Sequence, residues 1–226
     1  MNVESVPLIK LTGVSKVYGS FDSEVKAIDD ISLEINSGEF VAIIGQSGSG
    51  KSTLMNMIGC LDQPTSGEYF LEGRDVSEIP DKEISVIRNS KIGFIFQGFN
   101  LIPAMNAIEN VSLPLLYRGI SKSDRKKVAE RALCDVGLKH RTNHTPSQMS
   151  GGQQQRVAIA RAIAAEPSVI LADEPTGNLD SKSGRDIMDI LKGMSNRGKT
   201  VILITHDNDI ANMAGRVIKM VDGRVC

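Results

Sequence analysis

The octet Gly45-Gln46-Ser47-Gly48-Ser49-Gly50-Lys51-Ser52 follows directly on the apolar run FVAII at 40–44 and opens a helical pattern at Lys51. No other stretch limits the fold as much. A continuous apolar run of this length reads as a strand buried on both faces, which belongs in a parallel sheet covered by helices. The octet matches GxxxxGK[ST] in the strand–turn–helix setting that the pattern requires. Its glycines let the backbone curl with N–H groups pointing inward, and the helix start adds favourable partial charge for an anion. Such a loop cradles a phosphate chain. Gly45, Ser47, Gly48, Ser49, Gly50 and Thr53 then lie round the phosphates, Lys51 reaches the outer two, and Ser52 binds Mg²⁺.

Two further apolar runs, VILA at 169–172 and VILIT at 201–205, predict more strands of the same sheet. Helical patterns separate them, at 51 to about 60, 154–165 and 182–194, so strands alternate with helices. Asp173 at the end of the second run is placed to hold a Mg²⁺ shell. Glu174, expected on the other side of the strand by alternation, is placed to polarise a water. The stretch 98–164 lacks strand signals and holds a polar helix from Ser123 to about Val136, ended by Gly137, which predicts a helical subdomain inserted into the α/β core. Near the C-terminus, Asp222-Gly223 between RVIKMV and RV reads as a hairpin turn.

Met149-Ser150-Gly151-Gly152-Gln153 adds a second anion site. Ser150 with Gln153 three residues on is a capping box, and it precedes the helical run AIARAIAA. Two glycines at a capped helix start leave backbone N–H groups accessible. One chain therefore carries two phosphate-binding helix starts. Head-to-tail pairing of two chains, each closing its capped loop over the phosphate held by the other, accounts for both.

Together these motifs resemble the ATP-binding subunit of an ABC transporter, over essentially all 226 residues. The resemblance implies an α/β fold: a P-loop core with a mixed sheet and N-terminal antiparallel strands at 1–97 and 165–226, and the inserted helical subdomain at 98–164. It implies ATP and Mg²⁺ as ligands and a nucleotide-dependent homodimer. It assigns adenine stacking to Tyr18, for which aromatic–base stacking is a physical reason; from the residues alone, Tyr18 also reads as a strand end. Gln97 resembles the residue that contacts Mg²⁺ and the attacking water. Asp180 in GNLD resembles an acid that crosses the dimer interface, and His206 resembles a switch histidine that holds the γ-phosphate. Ser150, Gly151, Gly152 and Gln153 would meet the partner's nucleotide. Gln46 and Met149 depart from the common Pro and Leu, at positions peripheral to phosphate binding.

IGCLDQPTSGE (58–68), IGFIFQGFNLIP (92–103), ENVSLPL (109–115) and LADEPTGNLDS resemble the lipoprotein-releasing and macrolide-exporter subgroup. That resemblance implies an integral membrane permease as partner and a place on the cytoplasmic face of the membrane. A division-type cassette, which regulates a cell-wall hydrolase through a membrane partner, is the alternative. Phe99, Leu101 and Ile102 would suit a permease groove if exposed and ordinary core if buried. No apolar stretch reaches the roughly 18–20 residues of a membrane span, and the N-terminus lacks a signal-peptide pattern. Three widely spaced cysteines show no metal spacing. A net charge of −1, with Arg125-Lys126-Lys127 as the main basic cluster, argues against nucleic acid as a partner.

Overall fold

From the N-terminus the chain forms β1 (Ile9–Tyr18), β2 (Val25–Ile35), β3 (Phe40–Ile44), α1 (Lys51–Ile58), β4 (Ser66–Leu71), β5 (Arg74–Asp75), α2 (Asp81–Lys91) and β6 (Ile92–Phe96). Three helices follow, α3 (Ala107–Tyr117), α4 (Lys122–Asp135) and α5 (Gly151–Ala164), with a single 3₁₀ turn at Pro146–Gln148. Then come β7 (Val169–Asp173), α6 (Ser181–Ser195), β8 (Thr200–Thr205), α7 (Asn208–Ala211), β9 (Arg216–Val221) and β10 (Arg224–Val225). The structure is a computed structural model and describes residues 6–19, 23–77 and 79–226.

The strands make two sheets. Six of them lie in the order β10-β9-β3-β8-β7-β6, parallel from β9 to β6, with β10 antiparallel at one edge. The sheet is therefore mixed. The other four, in the order β2-β1-β4-β5, are antiparallel. Strand alternation divides the apolar runs between two cores. Val41, Ile43, Val169, Leu171, Ile202 and Ile204 face the antiparallel sheet, α1 and α2. Ala42, Ile170, Ala172, Val201 and Leu203 face the opposite core, built with α3 to α7. Both faces are buried, which is why the runs are apolar throughout rather than alternating.

The strand and helix expectations hold for the three central runs, for α1, α4, α5 and α6, and for the β9–β10 hairpin. Its turn residues Asp222 and Gly223 have φ of 47° and 77°, the left-handed pair that a tight hairpin turn demands. Six elements fall outside the sequence expectations: β4, β5, α2, β6, α3 and α7. In α3 an internal Pro114 masks the helix; an Asn106–Glu109 capping box starts it. Asn110 within it is fully buried. Its amide accepts from Ile102 N–H at 2.8 Å and donates to the carbonyls of Ile102, Met105 and Asn106. That side chain shapes the loop ahead of α3. Among the described residues no helix is long and apolar enough to cross a membrane.

Candidate functional site

The parallel strands β3, β8, β7 and β6 all point their C-terminal ends at one cleft of about 880 Å³. Ligands in open α/β sheets bind at that edge, because the loops and helix starts there converge on one crevice. The octet leaves β3 and enters α1. Gly50, at φ 96°, is the N-cap of α1, and no side chain caps the helix. The first-turn N–H groups are therefore free to bind an anion. Lys51 folds back over the loop, its Nζ donating to the carbonyl oxygens of Gly45 at 2.7 Å and Gln46 at 2.8 Å. Ser47, Gly48 and residues 50–53 line the cleft.

Gly45 and Ser49 stand behind that lining. A Cβ on Gly45 would lie 2.4 Å from the Met220 carbonyl oxygen and 2.5 Å from Ser49 Oγ. The loop is thus pressed against β9, and the Ser49 carbonyl accepts from Gly223 N–H of the hairpin turn at 3.1 Å. Gly45→Ala forces the loop off β9. We expect a stability loss of about 1–3 kcal/mol from overpacking, visible as a lower thermal midpoint together with weaker nucleotide binding.

On the opposite wall stand Gln97, Asp173, Glu174 and His206. Burial pushes the Asp173 carboxyl above its ordinary range; the Glu174 charge adds to this and Lys51 acts the other way. Glu174 does not continue the strand alternation. Its φ is 44°, so the chain turns left-handed directly after β7, and both carboxylates reach the same cleft rather than opposite faces of the sheet. The main chain there is held by Glu174 N–H to the Ile204 carbonyl at 2.9 Å. The Glu174 carboxylate accepts from His206 N–H at 3.0 Å and from Thr205 Oγ1 at 3.2 Å, and lies 2.6 Å from His206 Nδ1. A left-handed non-glycine residue is costly and persists only where its surroundings hold it; here β8 supplies two of the contacts and His206, directly after it, the other two.

Gln97 Nε2 donates to Asn178 Oδ1 at 3.2 Å, and Asn178 Nδ2 donates to the Gln97 carbonyl at 3.0 Å. Gly177 permits this approach, since a Cβ there would lie 2.6 Å from Gln97 Nε2. Asn178 stands in the GNLD string, where no local pattern marks it for a role. Asp222, Gly223 and Lys26 also line the cleft, brought there by long-range pairing that no local pattern announces.

The second helix start lies outside the cleft. Ser150 is the N-cap of α5, and its capping box with Gln153 is present at 3.3 Å and 3.1 Å. Gly151 packs beside Leu179 and Asn178, and Gly152 beside Ser183. Asp180 caps α6, accepting from the N–H groups of Lys182 and Ser183 at 3.0 Å and from Ser183 Oγ at 2.6 Å. Hydrogen bonds from the Ser183 side chain and main chain hold its carboxyl below the usual range. Residues 150–153 and 178–183 thus share one surface, tied to the cleft through Asn178 and Gln97. Tyr18 is 40% exposed at the end of β1. It is not part of the cleft wall, but its phenol lies beside Thr53 of α1.

This geometry has close counterparts. The ABC transporter family matches residues 28–177. The macrolide export ATP-binding/permease protein MacB of Hyphomonas neptunium is 52% identical over 219 residues, 97% of this chain and 34% of that protein. The uncharacterized ABC transporter ATP-binding protein YknY of Bacillus subtilis is 50% identical over 96% of this chain and 95% of its own length. The chain therefore spans about a third of the MacB relatives and nearly all of YknY. Among solved structures, a dimeric post-hydrolysis state of the ATP-binding cassette MJ0796 bound to ADP and Pi superposes with a TM-score of 0.87 at 48% identity, covering 96% of each chain. A phosphate cradle, two carboxylates and a histidine at one sheet edge, with a capped glycine pair outside it, agree with those likenesses: the chain belongs to the ABC transporter family, as one of its ATP-hydrolysing cassettes.

Proposed function

We propose that two copies of this chain close head to tail over two ATP molecules and that the closing and opening drive a membrane permease of the export type. The observation that carries the reading is the separation of the two anion-binding helix starts. α1 opens into the cleft, whereas the Ser150-capped start of α5 lies outside it beside residues 178–183. A second copy can present its own residues 150–153 to a γ-phosphate held by Lys51. Asp180 and Asn178 then sit at the contact between the copies.

Within each site the loop N–H groups and Lys51 bind the phosphates, and Tyr18 stacks on the adenine. The donor set also fits a Mg²⁺ ion: a hydroxyl at Ser52, the half-buried Asp173 carboxylate and the Gln97 amide border the same cleft. Among the described residues no group of three or more His, Cys, Asp or Glu side chains comes together, so the nucleotide would supply further oxygen ligands. Mg²⁺ would screen the phosphate charge. Glu174 accepts a proton from the attacking water as the water oxygen bonds the γ-phosphorus, the bond from that phosphorus to the β–γ bridging oxygen breaks to release ADP, and His206 holds an oxygen of the departing phosphate. In the present state Glu174 and His206 are bonded to each other at 2.6 Å. Arrival of the γ-phosphate separates them and readies both.

For the permease, the apolar triad after Gln97 divides. Leu101 packs on the helical core and Phe99 is half-buried, while Ile102 alone is exposed, at 38%. The better docking surface is a neighbouring groove of about 1050 Å³ between α2, α3 and α5. Val86 and Tyr117 at its edge are 65% and 81% exposed. A short permease helix would bury them. Such docking places the chain at the cytoplasmic face of the membrane, and the MacB likenesses favour macrolide or peptide export as the work done.

Shared sites make turnover cooperative. ATPase activity per chain is expected to rise with protein concentration and to follow ATP with a Hill coefficient above one. Turnover per chain that stays constant across dilution, in a sample shown by sedimentation to be monomeric throughout, would overturn the sandwich.

A further inference from the structure

We infer that Asp62 and Lys16 form a bracket that orients Tyr18 for base stacking and so sets the part of nucleotide affinity that depends on the base. The inference rests on the reading of Tyr18 as the adenine-stacking residue. It adds two positioning residues that no motif marks.

Lys16 and Tyr18 stand two residues apart on β1 and so project from the same face of the strand. Asp62 lies in the turn that follows α1. The Tyr18 hydroxyl donates to Asp62 Oδ2 at 2.6 Å. Lys16 Nζ donates to Asp62 Oδ1 at 2.5 Å and to the Gln63 carbonyl at 2.7 Å. The same ammonium stands 5.1 Å from the centre of the Tyr18 ring, within cation–π range. The turn is itself anchored: Gln63 N–H donates to Asp62 Oδ1 at 2.8 Å, and Gln63 Nε2 donates to the Ile79 carbonyl at 2.9 Å.

Exposure separates the bracket from the ring. The Lys16 and Asp62 side chains are 14% and 28% exposed, whereas Tyr18 is 40% exposed. One end of the ring is tethered and the ammonium occupies one side, so an incoming base has the other. Burial pushes the Asp62 carboxyl up, but the hydrogen bonds from Lys16 and Tyr18 and the ammonium charge outweigh it and hold the group below its ordinary range. The acceptor for the phenol is thus charged at neutral pH, which makes a stronger hydrogen bond than a neutral one. A ring ordered in advance loses less freedom when the base arrives.

A fastener that merely holds the fold would act differently. The turn carrying Asp62 follows α1, so loosening it would disturb the phosphate loop and weaken any polyphosphate. The test is calorimetric titration of the full chain with Mg-ATP and, separately, with Mg²⁺ and inorganic triphosphate, which has phosphates but no base. Asp62→Ala and Tyr18→Phe are each expected to weaken ATP about three- to tenfold and to leave triphosphate within about twofold. The double variant should be no weaker than Asp62→Ala alone, because Tyr18→Phe removes only a hydrogen bond that Asp62→Ala already removes. Tyr18→Ala should weaken ATP about tenfold or more. Equal loss of ATP and triphosphate in Asp62→Ala would overturn the inference in favour of a fold fastener. Loss in Tyr18→Ala without loss in Asp62→Ala or Tyr18→Phe would keep the stacking and remove the bracket. Unchanged ATP affinity in Tyr18→Ala would remove the stacking reading itself.

Discussion

Glu174→Gln is expected to lower ATP turnover by about 10²–10⁴-fold and to trap an ATP-bound dimer. The amide keeps the size of the carboxylate, so the tight turn after β7 can persist. Its carbonyl oxygen can still accept from His206 N–H, which bonds Glu174 Oε1 at 3.0 Å in the parent chain. What it cannot do is take a proton from water. Binding and closure then proceed while cleavage stops, and the bridging γ-phosphate stays in place. Light scattering of the purified variant with and without Mg-ATP reads this directly. A nucleotide-dependent step from monomer to dimer is the expected result. Monomers that retain bound ATP would count against the two-half-site reading, and turnover near the parent rate would remove Glu174 as the base.

Lys51→Ala is expected to cost about 10²–10³-fold in turnover, the usual size of losing one preorganised donor to a phosphoryl group. Its Nζ is held in the loop by the Gly45 and Gln46 carbonyls at 2.7 and 2.8 Å. The charge is therefore in place before ATP arrives and need not be gathered from solvent. The bond to the Gln46 carbonyl is solvent-exposed, so water can replace the lost donor there and folding stability should change little. Melting curves without nucleotide check that point, and the stabilisation that Mg-ATP adds to the melting temperature reads the binding loss. A melt shift by ATP equal to the parent's would place Lys51 outside the phosphate site. The two variants also differ in kind. Lys51→Ala should fail to dimerise with ATP, where Glu174→Gln dimerises and stalls.

Local chemistry makes much of this legible in the amino-acid sequence. FVAII and VILIT are apolar throughout because both faces of β3 and β8 are buried, and a strand of that kind leaves few alternatives to a parallel sheet. The Ser150–Gln153 capping box is a bond between residues three apart, so the string carries its own geometry. The same holds for the Asp222-Gly223 turn. Elements that rely on distant partners were silent. α2 has few apolar residues, and Ile84 finds its place in a core made largely of other elements. α3 hides behind Pro114.

The chemistry available to this protein is written in neighbouring residues: a glycine-rich loop suited to phosphate, a carboxylate pair, a histidine and a second capped glycine turn. How these groups face one another depends on packing between elements far apart in the chain. Strand alternation would send Glu174 away from Asp173; the left-handed turn held by Ile204, Thr205 and His206 of β8 and the residue after it brings both to one cleft. Tyr18 and Asp62 meet across sequence that separates them by two strands and a helix. The reason is the same in each case. A hydrogen bond between neighbours in the chain closes a short loop and shows as a motif, whereas one between distant residues exists only after the sheets and helices have paid the entropy of bringing them together.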